Sequence, residues 1–160
     1  MVEVARRSPV PIACGEDYYC KDQFSELLQH NAVHIIQLEP QNLGMTSAKQ
    51  VCAMVNAFYG VTAPHSAQGP LCSLACAHLN TSTPNFFLHE LFDDFNDDWS
   101  QQILTNQVKV VNGYIEVGDD VVGWGADLNY DEIAQHPYNP DNFLPLFREG
   151  WEKRQKVTLD

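Results

Sequence analysis

Basic residues are scarce in this chain: nine Lys and Arg stand against 21 Asp and Glu, a formal net charge of −12. That balance disfavours nucleic acid and anionic membrane surfaces as partners, because both are recognised through cationic side chains. No run approaches the roughly 18 apolar residues that a membrane span requires. The first residues carry neither the apolar core of a secretory signal nor the arginine-rich, acid-poor pattern of a transit segment. The cytoplasm is the expected compartment. Cysteine is odd in number, five in all, and with no secretory signal this argues for reduced thiols rather than a disulfide framework. Low-complexity stretches and linkers are also missing, and the only internal repeat is a rhythm of short apolar runs.

That rhythm carries the information. Glu16 follows PIAC, Glu39 follows HIIQ, His65 follows VTAP and Glu90 follows FFLH, at spacings of 23, 26 and 25 residues. Each interval holds one strand, one helix and two loops. Strand-plus-helix units that end each strand in an ionisable group are what a (β/α) barrel builds its active face from. A closed barrel needs roughly 250 residues, and this chain has 160. It is expected to form half of one.

Local patterns agree with such units. Ile12 to Cys14, bounded by Pro11 and Gly15, reads as a buried strand. Asp22 to Gln29 places Phe24, Leu27 and Leu28 on one helical face. Val33 to Ile36 is the second strand. Thr46 or Ser47 is the expected cap of a helix carrying Val51, Met54, Val55 and Phe58, with Gly60 as its C′ residue. Val61 to Ala63 is the third strand, Pro70 to Leu79 the third helix and Asn85 to Leu88 the fourth strand. Residues 1–104 therefore read as partial-barrel units. Residues 105–160 read as a tail that closes the barrel and wraps toward another part of the structure. In that tail, Val108 to Val111 and Tyr114 to Val117 suggest short strands or covering segments. Asn129 to Gln135 and Asn142 to Lys153 suggest two closing helices, capped by Asn129 and Asp141.

Parallel strands all end on one face, so Glu16, Glu39, His65 and Glu90 should converge there. A strand-end carboxylate after Gly suits a hard cation such as Mg²⁺, which takes one or two carboxylates plus substrate oxygens. Histidine is the side-chain type suited to acid–base work near neutrality, which makes His65 the candidate acid or base. Glu39, on the neighbouring strand, can bond one ring nitrogen and set the tautomer. Cys72 and Cys76, with His78 nearby, admit a metal-ligand reading, but their helix is small and apolar, which favours buried structural thiols. Glu90, Asp93, Asp94, Asp97 and Asp98 crowd into HELFDDFNDD. A solvated loop is the expectation for the aspartates, although such density could draw a stray cation.

In order, Gly15-Glu16, Ile36-Gln37-Leu38-Glu39, Ala63-Pro64-His65 with Gly69-Pro70, and Glu90 resemble the later barrel half of the enolase superfamily. The resemblance is to its mandelate racemase group, and within it to acid-sugar dehydratases of galactonate dehydratase type. It implies that Glu16 is the third of three Mg²⁺ carboxylates, His65 the catalytic histidine and Glu39 its carboxylate partner. It implies that Glu90 bonds the substrate carboxylate. The implied substrate is a small sugar acid, and the complete enzyme is expected to be a homo-oligomer. Glu39 departs from the usual Asp, lengthening the dyad by one methylene. Asn42-Leu43-Gly44 shortens the family's HxGG loop. The two other metal carboxylates, the upstream base and most of the capping domain fall before Met1 in this comparison.

Two kinds of function follow. The first is an Mg²⁺-dependent dehydratase, with racemisation or epimerisation as the sister outcome. The second is an inactive fragment whose open half-barrel exposes strand edges and favours association.

Overall fold

The computed structural model describes residues 1–140. After a first short helix, α1 (Val2–Arg7), the chain alternates strand and helix. The order is β1 (Ala13–Cys14), α2 (Lys21–Gln29), β2 (Ile35–Ile36), α3 (Pro40–Leu43), α4 (Met45–Ala57), β3 (Val61–Thr62) and α5 (Pro70–Thr81). The strands are parallel in the order β1-β2-β3, with Ala13 opposite Ile35 and Ile35 opposite Val61. This is an arc of a (β/α) barrel, open at both ends within the described residues. None of its helices is long and apolar enough to cross a membrane.

The core lies between the sheet and the helices. Phe24, Leu27 and Leu28 of α2 meet Val51, Cys52 and Val55 of α4 over Ile36 and Leu38, and Leu79 of α5 closes the cluster. Two helices end in the same way. Past the C-cap His30, Asn31 turns left-handed (φ 48), and its N–H bonds Leu28 O while Ala32 N–H bonds Leu27 O. Past Phe58, Tyr59 does so (φ 59), with Tyr59 N–H on Asn56 O and Gly60 N–H on Val55 O. Both are Schellman closures, which satisfy the last carbonyls.

Four expectations are corrected. The left-handed residue closing α4 is Tyr59, not Gly60; Gly60 is needed because a Cβ there would lie 2.9 Å from Val55 Cγ1. The N-cap of α4 is Gly44 (φ 72), which also ends α3 and leaves Thr46 and Ser47 inside the first turn. The first strand is exposed at Ala13 rather than buried, because β2 covers one of its edges and no described strand covers the other. The fourth strand shrinks to one parallel bridge, Thr62 to Phe86, held by Thr62 N–H on Asn85 O and Phe87 N–H on Thr62 O. Phe86, Phe87 and Leu88 are exposed beyond it, with no further described strand to extend the ladder.

The tail adds an antiparallel hairpin, β4 (Val110–Val111) and β5 (Tyr114–Ile115), across Asn112 and Gly113 at φ 52 and 81. Positive φ at both central residues is the type I′ signature. Thr105 N–H bonds Asp127 O and Asn129 N–H bonds Ile103 O, so the tail folds back on itself. His78 Nε2 lies 3.0 Å from Trp124 O, tying it to α5. Helix α6 (Tyr130–Gln135) is capped by the Asn129 side chain, as expected. The second closing helix, Asn142 to Lys153 with Asp141 as its cap, lies outside the described residues.

Two sites test this packing. Gly15 stands at φ 136, and a Cβ there would lie 2.8 Å from Cε1 of the fully buried Phe24. Gly15→Ala should therefore lower stability by about 1–3 kcal/mol, read from the urea midpoint. His89 follows the exposed Leu88, and its Nε2 is buried without a partner. Burial lowers its pKa from 6.5 to about 4, against a weaker upward pull from Glu39. Between those values the unfolded chain binds the extra proton, so the stability is present above 6.5 and lost as pH falls toward 4. His89→Gln should flatten this acid sensitivity when unfolding is compared at pH 7 and pH 4.5. Equal slopes for both proteins would contradict it.

Candidate active site

Glu16, Glu39, His65 and Glu90 all leave the sheet at its carboxyl end, because each follows the last residue of its strand or bridge. The backbone ladder continues past the formal strands and sets their relative heights. Gln37 N–H bonds Cys14 O at 2.9 Å, His65 N–H bonds Leu38 O at 2.9 Å, and Glu90 N–H bonds Pro64 O at 3.2 Å. Strand register thus becomes side-chain position.

Glu39 is 0% exposed, and an ionised carboxylate there is costly unless donors surround it. The local sequence supplies them. Glu39 is the N-cap of α3 with Pro40 at the first turn, and its Oε1 accepts the Gln41 N–H at 3.0 Å. The same oxygen accepts the Cys72 thiol of α5 at 3.1 Å. Oε2 lies 2.8 Å from His65 Nδ1. A carboxylate at Nδ1 places the ring proton there and leaves Nε2 as the free nitrogen.

His65 Nε2 lies 3.9 Å from Glu16 Oε2, with the histidine side chain 15% and the Glu16 side chain 48% exposed. Glu16, His65 and Glu90 each offer a ligand atom, and these atoms lie within 4.8 Å of one another. Glu90 Oε2 accepts a hydrogen bond from the Gln37 amide. Asn42, in the short helix α3, donates from Nδ2 to Glu16 O at 3.1 Å, so that helix props the end of β1. As a strand-end carboxylate half in solvent, Glu16 fits one Mg²⁺ ligand. Glu90 is the other oxygen donor nearby and the remaining donor is a nitrogen, so the chain's own residues fit an Mg²⁺ site only in part.

Sequence reasoning missed Gln37, Asn42 and Cys72. Gln37 could have been found, since residues two apart in a strand share a face and Gln37 stands two before Glu39. Cys72 and Cys76 are free thiols and buried, as the apolar helix suggested, but Cys72 touches the dyad. Its hydrogen bond, and then burial, push the Cys76 thiol upward. The acidic segment also needs a correction. Asp93 is buried and accepts the Ser73 hydroxyl at 3.0 Å, and Ser73 in turn meets Ser66 at 3.0 Å. Its neighbours Asp97 and Asp98 are exposed as expected. Among the described residues these aspartates form no ligand cluster.

Comparison with known proteins agrees with this fold. Residues 1–133 match the family described as enolase C-terminal domain-like. The chain is 30% identical over 142 residues to a D-gluconate/D-galactonate dehydratase of Picrophilus torridus, covering 84% of this chain and 36% of that protein. It is 26% identical over 134 residues to a D-xylonate dehydratase of Haloferax volcanii, covering 83% of this chain and 32% of that protein. A solved mandelate racemase/muconate lactonizing enzyme from a Jannaschia species superposes with a TM-score of 0.78 at 29% identity, over 86% of this chain and 35% of that one. One from a Sulfitobacter species gives 0.78 at 28% identity, over 86% and 34%. The chain therefore spans about a third of the length of the curated relatives it matches. By its matched span and its half-barrel fold, it belongs to the enolase superfamily, in the mandelate racemase/muconate lactonizing enzyme group.

Proposed function

We propose that this chain is the dyad-bearing part of a sugar-acid dehydratase, in which His65, Glu39 and Glu90 act on substrate and Glu16 is one of several metal carboxylates. The observation that carries the reading is the pair of bonds at His65: Nδ1 on the buried Glu39, and Nε2 facing Glu16. The dehydratase names of relatives in which this segment recurs support it. Residues 1–104 would supply the strand-end face, and the described part of the tail after residue 104 is tied to α5 through His78 and Trp124.

The chemistry divides by residue. Dehydration removes the proton α to a carboxylate, breaks the C–O bond of the β-hydroxyl, and releases that oxygen as water. Glu90, held by the Gln37 amide, would hydrogen-bond the substrate carboxylate as negative charge builds there. His65, protonated and paired with Glu39, would give its Nε2 proton to the departing hydroxyl. The base that takes the α-proton lies outside this chain in this reading. When bound, Mg²⁺ supplies Lewis-acid polarisation of the carboxylate. Glu16 would hold one position of that ion and limit how far His65 can swing.

In a full-length enzyme carrying this segment, His65→Asn should abolish dehydration while exchange of the α-proton with solvent deuterium persists. If exchange disappears too, His65 is itself a base, and racemisation or epimerisation becomes the better reading. The same enzyme tests the thiol behind Glu39. Cys72→Ala should lower kcat by about 10–100-fold with KM little changed, as removal of a supporting bond behind a ligand does. Cys72→Ser, which keeps a donor, should recover most of the loss. Equal damage from both variants would make Cys72 a packing residue only.

A further inference from the structure

Three donors at the mouth of the half-barrel suit a different ion from the one the carboxylates alone would hold. We propose that Glu16, His65 and Glu90 bind a borderline divalent transition ion of the Zn²⁺ class, with His65 Nε2 as a direct ligand. Binding needs no other part of a longer protein. Its inhibitory consequence rests on the dehydratase reading, since the ion would occupy the nitrogen that must carry the proton.

The donors are arranged for this. Glu39 fixes His65 by its Nδ1, the carboxylate–histidine support that orients an imidazole ligand. The nitrogen so exposed faces Glu16 Oε2 at 3.9 Å, and all three ligand atoms fall within 4.8 Å of one another. Bonds of about 2.0–2.2 Å in a tetrahedral site put neighbouring donors ~3.4 Å apart. Closing that gap is a movement of about 1 Å, within the freedom of the half-exposed Glu16 side chain. Glu90 is steadied by the Gln37 amide on one oxygen.

Charge and donor type decide the ion. Two carboxylates and a neutral imidazole match a dication. Three protein ligands with a water in the fourth place is a common zinc arrangement. Mg²⁺ keeps to octahedral oxygen shells and gains little from the imidazole, whereas nitrogen donors favour Co²⁺, Ni²⁺ and Zn²⁺. The same pocket mouth would therefore discriminate against the ion that the dehydration reaction uses.

The test uses the 160-residue chain, with Zn²⁺ followed by calorimetry and Co²⁺ by its visible absorption. Expected are affinity at least about 100-fold tighter for Zn²⁺ than for Mg²⁺ and Co²⁺ bands characteristic of a four- or five-coordinate site. His65→Asn and Glu16→Gln should each weaken Zn²⁺ by tenfold or more, and Glu39→Gln should do so by about 10–100-fold through the histidine. Glu16 is exposed enough that its variant should fold even if the buried ones do not. Replacing Cys14 and Cys20 by Ser controls for thiol binding. Zn²⁺ no tighter than Mg²⁺, affinity unmoved by Glu16→Gln and His65→Asn, or binding lost with the two cysteines would each overturn the proposal. Competitive inhibition by Zn²⁺ in a full-length enzyme concerns the dehydratase reading separately. Its absence, with Zn²⁺ still bound by the chain, would count against that reading and not against the metal site.

Discussion

Everything around the site is organised by one buried charge. Glu39 sits at the carboxyl end of the central strand, sealed from water, and a carboxylate cannot stay ionised there without several donors. It takes them from three places: a helix N-terminus that begins at its own position, a thiol from α5, and an imidazole from the loop after β3. Each donor fixes an element. The short helix after Glu39 begins with Pro40 and has a backbone N–H aimed at the carboxylate. Helix α5 must enter beside it, with Cys72 on its inner face. The His65 loop must keep the height that Leu38 sets through its carbonyl. Moving any of these would strand a charge.

Much of the site could be read along the chain, because parallel β/α units convert a regular sequence interval into a common spatial height. Glu16, Glu39, His65 and Glu90 stood out because each follows a short apolar run, and the fold brings them to one rim. What could not be read were the contacts made across units. Cys72 lies in a stretch whose apolar character is real and whose inner face happens to meet a carboxylate. Asp93 looked like one of a run of solvated acids, and only the position of Ser73 shows why it is inside. Strand extent was equally hidden. Ala13 and Phe86 have strand-like sequence on either side, but pairing needs a partner, and the described residues place one on a single edge of each. Helix ends were legible as to place and misread as to residue. Gly60 looked like the left-handed turn because glycine usually is, whereas here Tyr59 accepts that conformation and glycine follows to clear Val55.

Glu16 and Glu39 show how the same side chain is given two characters by its surroundings. One is half in solvent with room to move; the other is locked by three hydrogen bonds. His65 stands between them, tethered on one nitrogen and open on the other. A group held in this way has its orientation decided before any ligand arrives, so little is lost in ordering it afterwards. The open nitrogen is accordingly where selectivity, whether for a proton or for an ion, is decided.

The separation of these residues along the chain has a consequence for assembly. Whereas His65–Glu16 and Gln37–Glu90 each reach across a unit, the dyad joins units adjacent in the order of synthesis and closes a loop of only 26 residues. Such loops form quickly and lose little chain entropy on closing. A ribosome that has released α5 has already delivered Glu39, His65 and Cys72 together. The histidine can thus be tethered while later residues are still being made, so that the acid–base geometry is a local event of folding rather than its last step.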